Sequence, residues 1–293
     1  MSEQTEHMVV SEQTDHADVL EAPVEPVDPA NPADPAVPVK KDRRVLRAVL
    51  RWTAAVVVFA AVGTSAAYGI TRMERTDVPG LATESDGRWD YPEISKPPLP
   101  SGSPAFSAAE NLAGAHYADL RALLLPAPKG AKADQALRGE DGWLKTKDFL
   151  AEYPVSDDRE EFGQLLTDNG LRHVAARGWT TEDGTHTRIY LLQFNTAAVV
   201  DGIQEDIFGF DSPRYMVRGA SEVHIDEGFP EKATIEDVQH YVYTEAKPYG
   251  ATNERQAYLT AGDTLALIVQ SRKGSAQAVP FQQTVMLQSQ LLS

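Results

Sequence analysis

The spacing of apolar and polar positions changes its period twice along this chain, and the first feature is a run with no period at all. Residues 52–70 are nineteen positions without a charge. At about 1.5 Å rise per residue a helix of that length reaches roughly 28 Å, close to the ~30 Å hydrocarbon core of a bilayer. Trp52 and Tyr68 near its ends suit interfacial aromatics, and Gly63 and Gly69 are tolerated inside membrane helices. A transmembrane helix is therefore expected over 52–70, with the lipid bilayer as its partner. Beyond it, 71–105 is rich in Pro, Gly and Ser and reads as a stalk.

A helical period of 3.6 follows. Ser107 and Glu110 make a capping-box pattern, predicting a helix over 107–125 with Leu112, His116, Leu120 and Leu124 facing inward and Pro126 as its stop. Residues 126–142 read as a loop, and 147–153 as a short helix ended by Pro154. Ser156 then caps a helix that buries Phe162, Leu165 and Leu166 and stops at Asn169-Gly170.

From Leu171 the period is two. Strands over 171–180 and 185–194 flank Glu182-Asp183-Gly184, an Asp-Gly turn between apolar runs and the strongest hairpin signal in the chain. The second strand is apolar on both faces, as a central strand covered on both sides would be. Asn195-Thr196 caps a helix over 197–208. Strands over 238–245, 255–260 and 264–271 come next, the last two joined by Ala261-Gly262-Asp263, and a helix from Pro280 to Leu292 closes the chain. Strand, tight turn, strand, helix thus occurs twice, which raises internal duplication as a hypothesis. The fold class is α+β: an antiparallel sheet with helices packed against it over 106–293, preceded by one transmembrane helix.

Charge sets the topology. Six bases, Lys40, Lys41, Arg43, Arg44, Arg47 and Arg51, form a collar over 40–51 against Asp42 alone, whereas Arg72, Glu74, Arg75 and Asp77 beyond the span cancel. The positive-inside bias puts the N-terminus in the cytoplasm and the C-terminal domain outside, in the cell membrane as a single-pass protein. The rival reading is a cleaved secretory signal with Ser65, Ala66 and Ala67 as its peptidase site. The length of the run and the tail of about fifty residues before it favour an anchor. That tail, 1–39, is acidic, and Pro23, Pro26, Pro29, Pro32, Pro35 and Pro38 recur at the three-residue period of polyproline II. It is expected to be disordered, with docking of a partner as the alternative reading of its proline strip. The part beyond the span carries 21 bases against 33 acids within a net charge of -16, which argues against nucleic acid as a partner. With no cysteine in the chain, disulfides, thiolate metal sites and a lipidated-Cys anchor are excluded.

Candidate chemistry is sparse. There is no G-x-S-x-G, H-E-x-x-H, S-x-x-K with K-T-G, or phosphate-cradling glycine loop. Glu222, His224 and Asp226 alternate with Val223 and Ile225 and share one face of an expected strand, where they either offer a metal a carboxylate-imidazole-carboxylate set or simply meet solvent. His240 and His116 read as packed, hydrogen-bonded histidines. His173 and His186 lie in the first hairpin, where only the register decides whether they meet. Tyr241 and Tyr243 share a face, as a stacking platform or as cross-strand packing. On this reading no catalytic, cofactor-binding or metal residue is assigned, no cofactor is expected, and the chain is not expected to be an enzyme.

Three stretches carry a resemblance: Leu123-Leu124-Leu125-Pro126-Ala127-Pro128-Lys129-Gly130; Ala175-Ala176-Arg177-Gly178-Trp179-Thr180 with Tyr190-Leu191-Leu192-Gln193-Phe194; and Ala261-Gly262-Asp263 with Gln288-Ser289-Gln290-Leu291. Through them the region from about Ser103 onward resembles uncharacterised single-pass or lipid-anchored envelope proteins of high-GC Gram-positive bacteria. The resemblance implies an extracytoplasmic binding or sensing domain whose partner is an envelope protein or small ligand. No kinase or other signalling module precedes the span, so the output of such a sensor is left unassigned. The alternatives are an envelope enzyme with a dispersed acid/base site around His224 and Asp226, and a cell-surface scaffold or assembly factor.

Overall fold

The computed structural model describes residues 44–72, 85–209 and 211–293. The proline-strip tail, residues 40–43 of the basic collar and residues 73–84 of the expected stalk lie outside the described residues. The chain divides into two compact units, Met1–Glu74 and Arg75–Ser293.

The described residues of the first unit form the helix α1 (Arg44–Arg72), which holds a 21-residue stretch, Val45–Ser65, apolar and long enough to cross a membrane. It starts earlier than the expected 52–70 because Arg44, Arg47 and Arg51 are good helix formers and continue the same helix. Val49, Trp52, Val56, Phe59 and Val62 are all exposed and make an apolar surface along it. The polar side chains within it close on their own backbone. Thr53 Oγ1 donates to the Val49 carbonyl at 2.8 Å, Ser65 Oγ to that of Ala61 at 2.8 Å, and Thr64 Oγ1 to that of Ala60.

The second unit is built on a seven-stranded sheet: β1 (Lys132–Ala133), β2 (His173–Thr180), β3 (His186–Gln193), β4 (Val223–Ile225), β5 (Gln239–Glu245), β6 (Asn253–Ala261) and β7 (Thr264–Arg272). Its order is β1-β2-β3-β7-β6-β5-β4 and every neighbouring pair is antiparallel. The hairpins β2–β3 and β6–β7 meet in the middle, with Ile189 opposite Ile268 and Leu191 opposite Ala266. β3 is buried over nearly its whole length, as its two apolar faces predict.

Helices cover both faces. On one, Val174, Tyr190, Leu192, Tyr258 and Leu267 pack under α2 (Thr146–Leu150), α3 (Ser156–Asp168) and α4 (Ala197–Ile207) through Phe149, Phe162, Leu166, Val200 and Ile203. On the other, Trp179, Ile189, Leu191, Leu259 and Ile268 pack under α5 (Ala278–Leu292) through Phe281, Val285 and Leu292, and under 120–125. Each such buried side chain contributes about 1.5–3 kcal/mol. The strand-turn-strand-helix pattern is present twice as local architecture. Yet α4 lies on one face and α5 on the other while β3 and β7 run antiparallel, an arrangement no two-fold axis through the sheet generates.

Helix ends follow the sequence with one shift. Thr196 Oγ1 accepts the Val199 N–H at the start of α4, and Gly170 takes φ +69 just after α3. The capping position of α3 falls on Val155, not Ser156, and makes no side-chain bond; Asp157 and Asp158 in its first turn favour the helix dipole instead.

Two expectations are corrected. The helix over 107–125 does not form. Asn111 spends its amide on the carbonyls of Ala105 and Ala115, and Gly114, at φ +59, gives its carbonyl to the Asp263 N–H at 2.9 Å. Only a single 3-10 turn, Leu120–Ala122, survives, and Leu112 is 96% exposed. The stalk, expected over 71–105, is part of the domain from Ser85 on. Trp89, Tyr91 and Ile94 pack on the α5 face, the Trp89 backbone exchanges two hydrogen bonds with the Gln283 side chain, and Tyr91 Oη meets Thr284 Oγ1 at 3.0 Å.

Candidate functional site

The residues singled out by sequence pattern do not converge. His224 is exposed on the edge strand β4, Glu222 pairs with Tyr249, and Asp226 is held by Arg255 at 2.8 Å. Among the described residues no group of three His, Cys, Asp or Glu could hold a metal. His173 and His186 sit at opposite ends of the hairpin, the first opposite Gln193 with its ring tilted against Trp143, the second opposite Thr180. Tyr243 is buried and Tyr241 lies against Phe208 at 4.2 Å between ring centres, so the pair packs more than it displays. His240 Nε2 meets Ser289 Oγ at 2.8 Å, and burial lowers its pKa. His116 is a pin: Nδ1 meets Asp263 Oδ1 at 2.8 Å, Nε2 meets the Leu292 carbonyl at 2.8 Å, and its ring stacks on Phe106.

A concave site forms elsewhere, at the edge of the sheet. The outer side of β2 is covered at Trp179 and Thr180 by β1 and at Val174 and Ala175 by Trp143 and Leu144. Between these covers residues 176–178 face a notch of about 560 Å³. Gly178 is required there: a Cβ would meet Leu137 Cδ1 at 2.6 Å and the Thr187 carbonyl oxygen at 3.0 Å. Leu124, Pro126, Ala127 and Ala133 supply apolar wall, and Arg121, Arg138 and Arg177 supply charge against one acid, Asp134.

The three arginines differ in what they already hold. Arg121 is saturated. Its Nε and Nη2 take the two oxygens of Asp119 at 2.9 and 2.6 Å, Nη1 donates to the Asp141 carbonyl at 2.7 Å, and the group lies over the Trp143 ring at 4.8 Å. Arg177 is half-buried and gives Nη1 to the Leu124 carbonyl at 2.7 Å, with no carboxylate partner among the described residues; burial lowers its pKa. Arg138 is exposed at the end of the 3-10 turn Gln135–Arg138 and makes no ion pair among the described residues.

Behind the notch runs a buried charged chain. Asp134 accepts from His186 Nε2 at 3.0 Å, and His186 Nδ1 faces Arg188 Nη1 at 3.3 Å. A guanidinium only donates, so Nδ1 accepts and the proton sits on Nε2. Burial and then the Arg188 charge lower the His186 pKa, outweighing Asp134, which keeps that tautomer neutral. Arg188 in turn grips Glu152, with Nε at 3.0 and 3.1 Å from its two oxygens and Nη2 at 2.8 Å, while Tyr190 Oη donates to Glu152 at 2.6 Å. Glu254 lies beyond, 2% exposed, with Oε1 accepting from Thr252 and Oε2 unbonded, 3.9 Å from Arg188. Burial pushes its carboxyl up to about 7, against the Thr252 bond and Arg188 and helped by Glu245 and Glu152.

Sequence reading missed the notch because its walls come from four separate segments. The one signal was Arg177, a charge on the same strand face as Ala175 and Trp179, in a run otherwise apolar there. No protein-family model matches this chain, and no curated protein matches it either.

Proposed function

We propose that this chain is a single-pass membrane protein whose C-terminal α+β domain is held outside the cytoplasm and acts as a non-catalytic ligand-binding or sensing module of the cell envelope. Support for the anchor is α1, whose bare apolar surface suits lipid, and support for the orientation is the excess of bases before it. The observation that carries the binding reading is the notch at the β2 edge. It is within the usual size of small-ligand sites and bears two guanidinium groups that have no carboxylate partner among the described residues. Its lining has no nucleophile and no free base, since Asp134 is committed to His186 and to the Ala136 N–H. The resemblance to envelope proteins with sensor-like ectodomains points the same way.

The test is thermal unfolding of the full chain in lipid nanodiscs with small envelope-derived molecules in turn, together with protease treatment of intact cells. A ligand at a hundredfold its Kd adds about 2.7 kcal/mol, a midpoint rise of roughly 5–11 °C for a domain of this size. Such a shift, with the C-terminal domain digested from outside, is the expected result. A domain protected in intact cells overturns the orientation.

An envelope enzyme is the second reading, favoured by one observation, the Glu254 carboxyl poised at about 7. Its burial at 2% exposure and its separation from the notch lining count against it. Any hydrolytic activity recovered from the purified chain and lost in Glu254→Gln would establish that reading.

A further inference from the structure

Arg138 and Arg177 stand 39 residues apart in a region where acids outnumber bases, yet both reach one notch and neither is neutralised by a carboxylate among the described residues. A partly buried cation that spends one N–H on a carbonyl and has no counter-charge is costly unless something else supplies the charge. Arg121 cannot be part of that demand, because Asp119 already holds it. Gly142, at φ +83, lets the Arg121 stem come close, where a Cβ would lie 2.8 Å from Cδ, so this third arginine is fixed as wall. Besides these guanidinium groups the notch has apolar lining: Leu124, Pro126, Ala127 and Ala133.

We infer that the notch takes a small organic oxyanion, a carboxylate or phosphate with a short apolar body, the oxygens on Arg177 and Arg138 and the body on Leu124, Pro126 and Ala127. The inference rests on the binding reading of the notch proposed above and names its ligand class. Guanidinium presents a planar fork that matches two oxygens of one group, which a lysine ammonium does not. The notch has room for a ligand of a dozen or so heavy atoms, and its single acid is turned to His186.

The experiment is calorimetric titration of the full chain in nanodiscs of zwitterionic lipid with hexanoate, hexyl phosphate, hexanol and hexylamine. The expected result is binding of one or both anions, weakened by added salt, with hexanol and hexylamine at least tenfold weaker. Arg138→Ala, at an exposed position without bonds, keeps the fold and weakens the anion about tenfold. Arg177→Lys keeps the charge, loses the fork and weakens it likewise. If hexanol binds as well as hexanoate, the notch stands as a ligand site and the anion assignment falls. If no compound binds, both fall. Binding to anionic vesicles without binding to hexyl phosphate also overturns the small-molecule assignment, in favour of a membrane surface.

Discussion

At the residue scale this domain is unusual for where it puts charge. Glu254 sits in the interior with an unbonded oxygen, and its carboxyl titrates at about 7 instead of the ordinary 4.5. Below about pH 4.5 the group is neutral folded or unfolded. Between 4.5 and 7 the unfolded chain sheds the proton and the folded one keeps it, so stability falls as pH rises through that window and the loss is complete above it. Glu254→Gln removes the dependence. It is expected to gain on the order of 2–3 kcal/mol over wild type at pH 8 relative to pH 4, read from urea melts at the two pH values. A variant whose pH profile parallels wild type would place the buried charge elsewhere. His116 makes the opposite case, a buried pair that holds structure together. Its ring joins 106–116 to Asp263 between β6 and β7 and to the end of α5 at Leu292. His116→Ala leaves the Asp263 carboxylate, 0% exposed, without its imidazole, and about 3 kcal/mol of stability should go with it. A loss under 1 kcal/mol would mean that Gln193 and Thr264, which also donate to Asp263, suffice.

At the element scale the critical join is that between β2 and the turn Gln135–Arg138. Gly178 lets Leu137 lie on the strand, and Asp134 closes the join by donating its N–H to the Gly178 carbonyl at 2.8 Å. Gly178→Ala puts a methyl into Leu137 and against the fixed Thr187 carbonyl. We expect a loss of about 1–3 kcal/mol, and weaker anion binding because Arg138 rides on the displaced turn. A denaturant melt and the hexanoate titration on the same variant read both effects. This join also shows what the sequence could and could not convey. The β2–β3 hairpin was legible because Asp183-Gly184 fixes its turn and alternation fixes its faces, and β6, β7 and α5 were legible for the same local reasons. The region 107–125 has a capping box and a helical apolar stripe, but Gly114 weakens a helix there: Asn111 closes a local loop onto Ala105 and Ala115, and Gly114 bonds Asp263, a partner that only the fold brings near. Local propensity lost to tertiary contacts there. The notch is further from the sequence still. Arg121, the turn from Asp134 to Arg138, and Arg177 lie on separate segments, and nothing in their spacing says that a two-residue strand and an isolated bridge leave a gap between them.

At the scale of the whole molecule the boundary between tether and domain decides how the protein can be studied. Composition puts the domain's start near 106, because six prolines between 79 and 104 look like spacer. The packing puts it at or before Ser85, since Trp89 and Tyr91 lie on α5, Gln283 bonds the Trp89 backbone at both N–H and carbonyl, and Lys96 Nζ reaches the C-terminal Ser293. Proline suits such a strap, because an extended segment with few N–H groups leaves few donors to satisfy where it crosses a surface. The strap covers the same face that 120–125 and α5 cover, so its removal bares Trp179, whose indole meets the Tyr91 ring edge-on at 6.4 Å. Two half-buried aromatics and several hydrogen bonds together contribute on the order of 3 kcal/mol. A fragment over 85–293 is therefore expected to unfold cooperatively and to stay soluble without α1. A fragment over 106–293 is expected to melt about 6–12 °C lower and to expose apolar surface to dye. Equal midpoints for the two fragments would return residues 85–105 to the role of a stalk, and would mean that the contacts of Trp89 and Tyr91 add nothing to the stability of the sheet they cover.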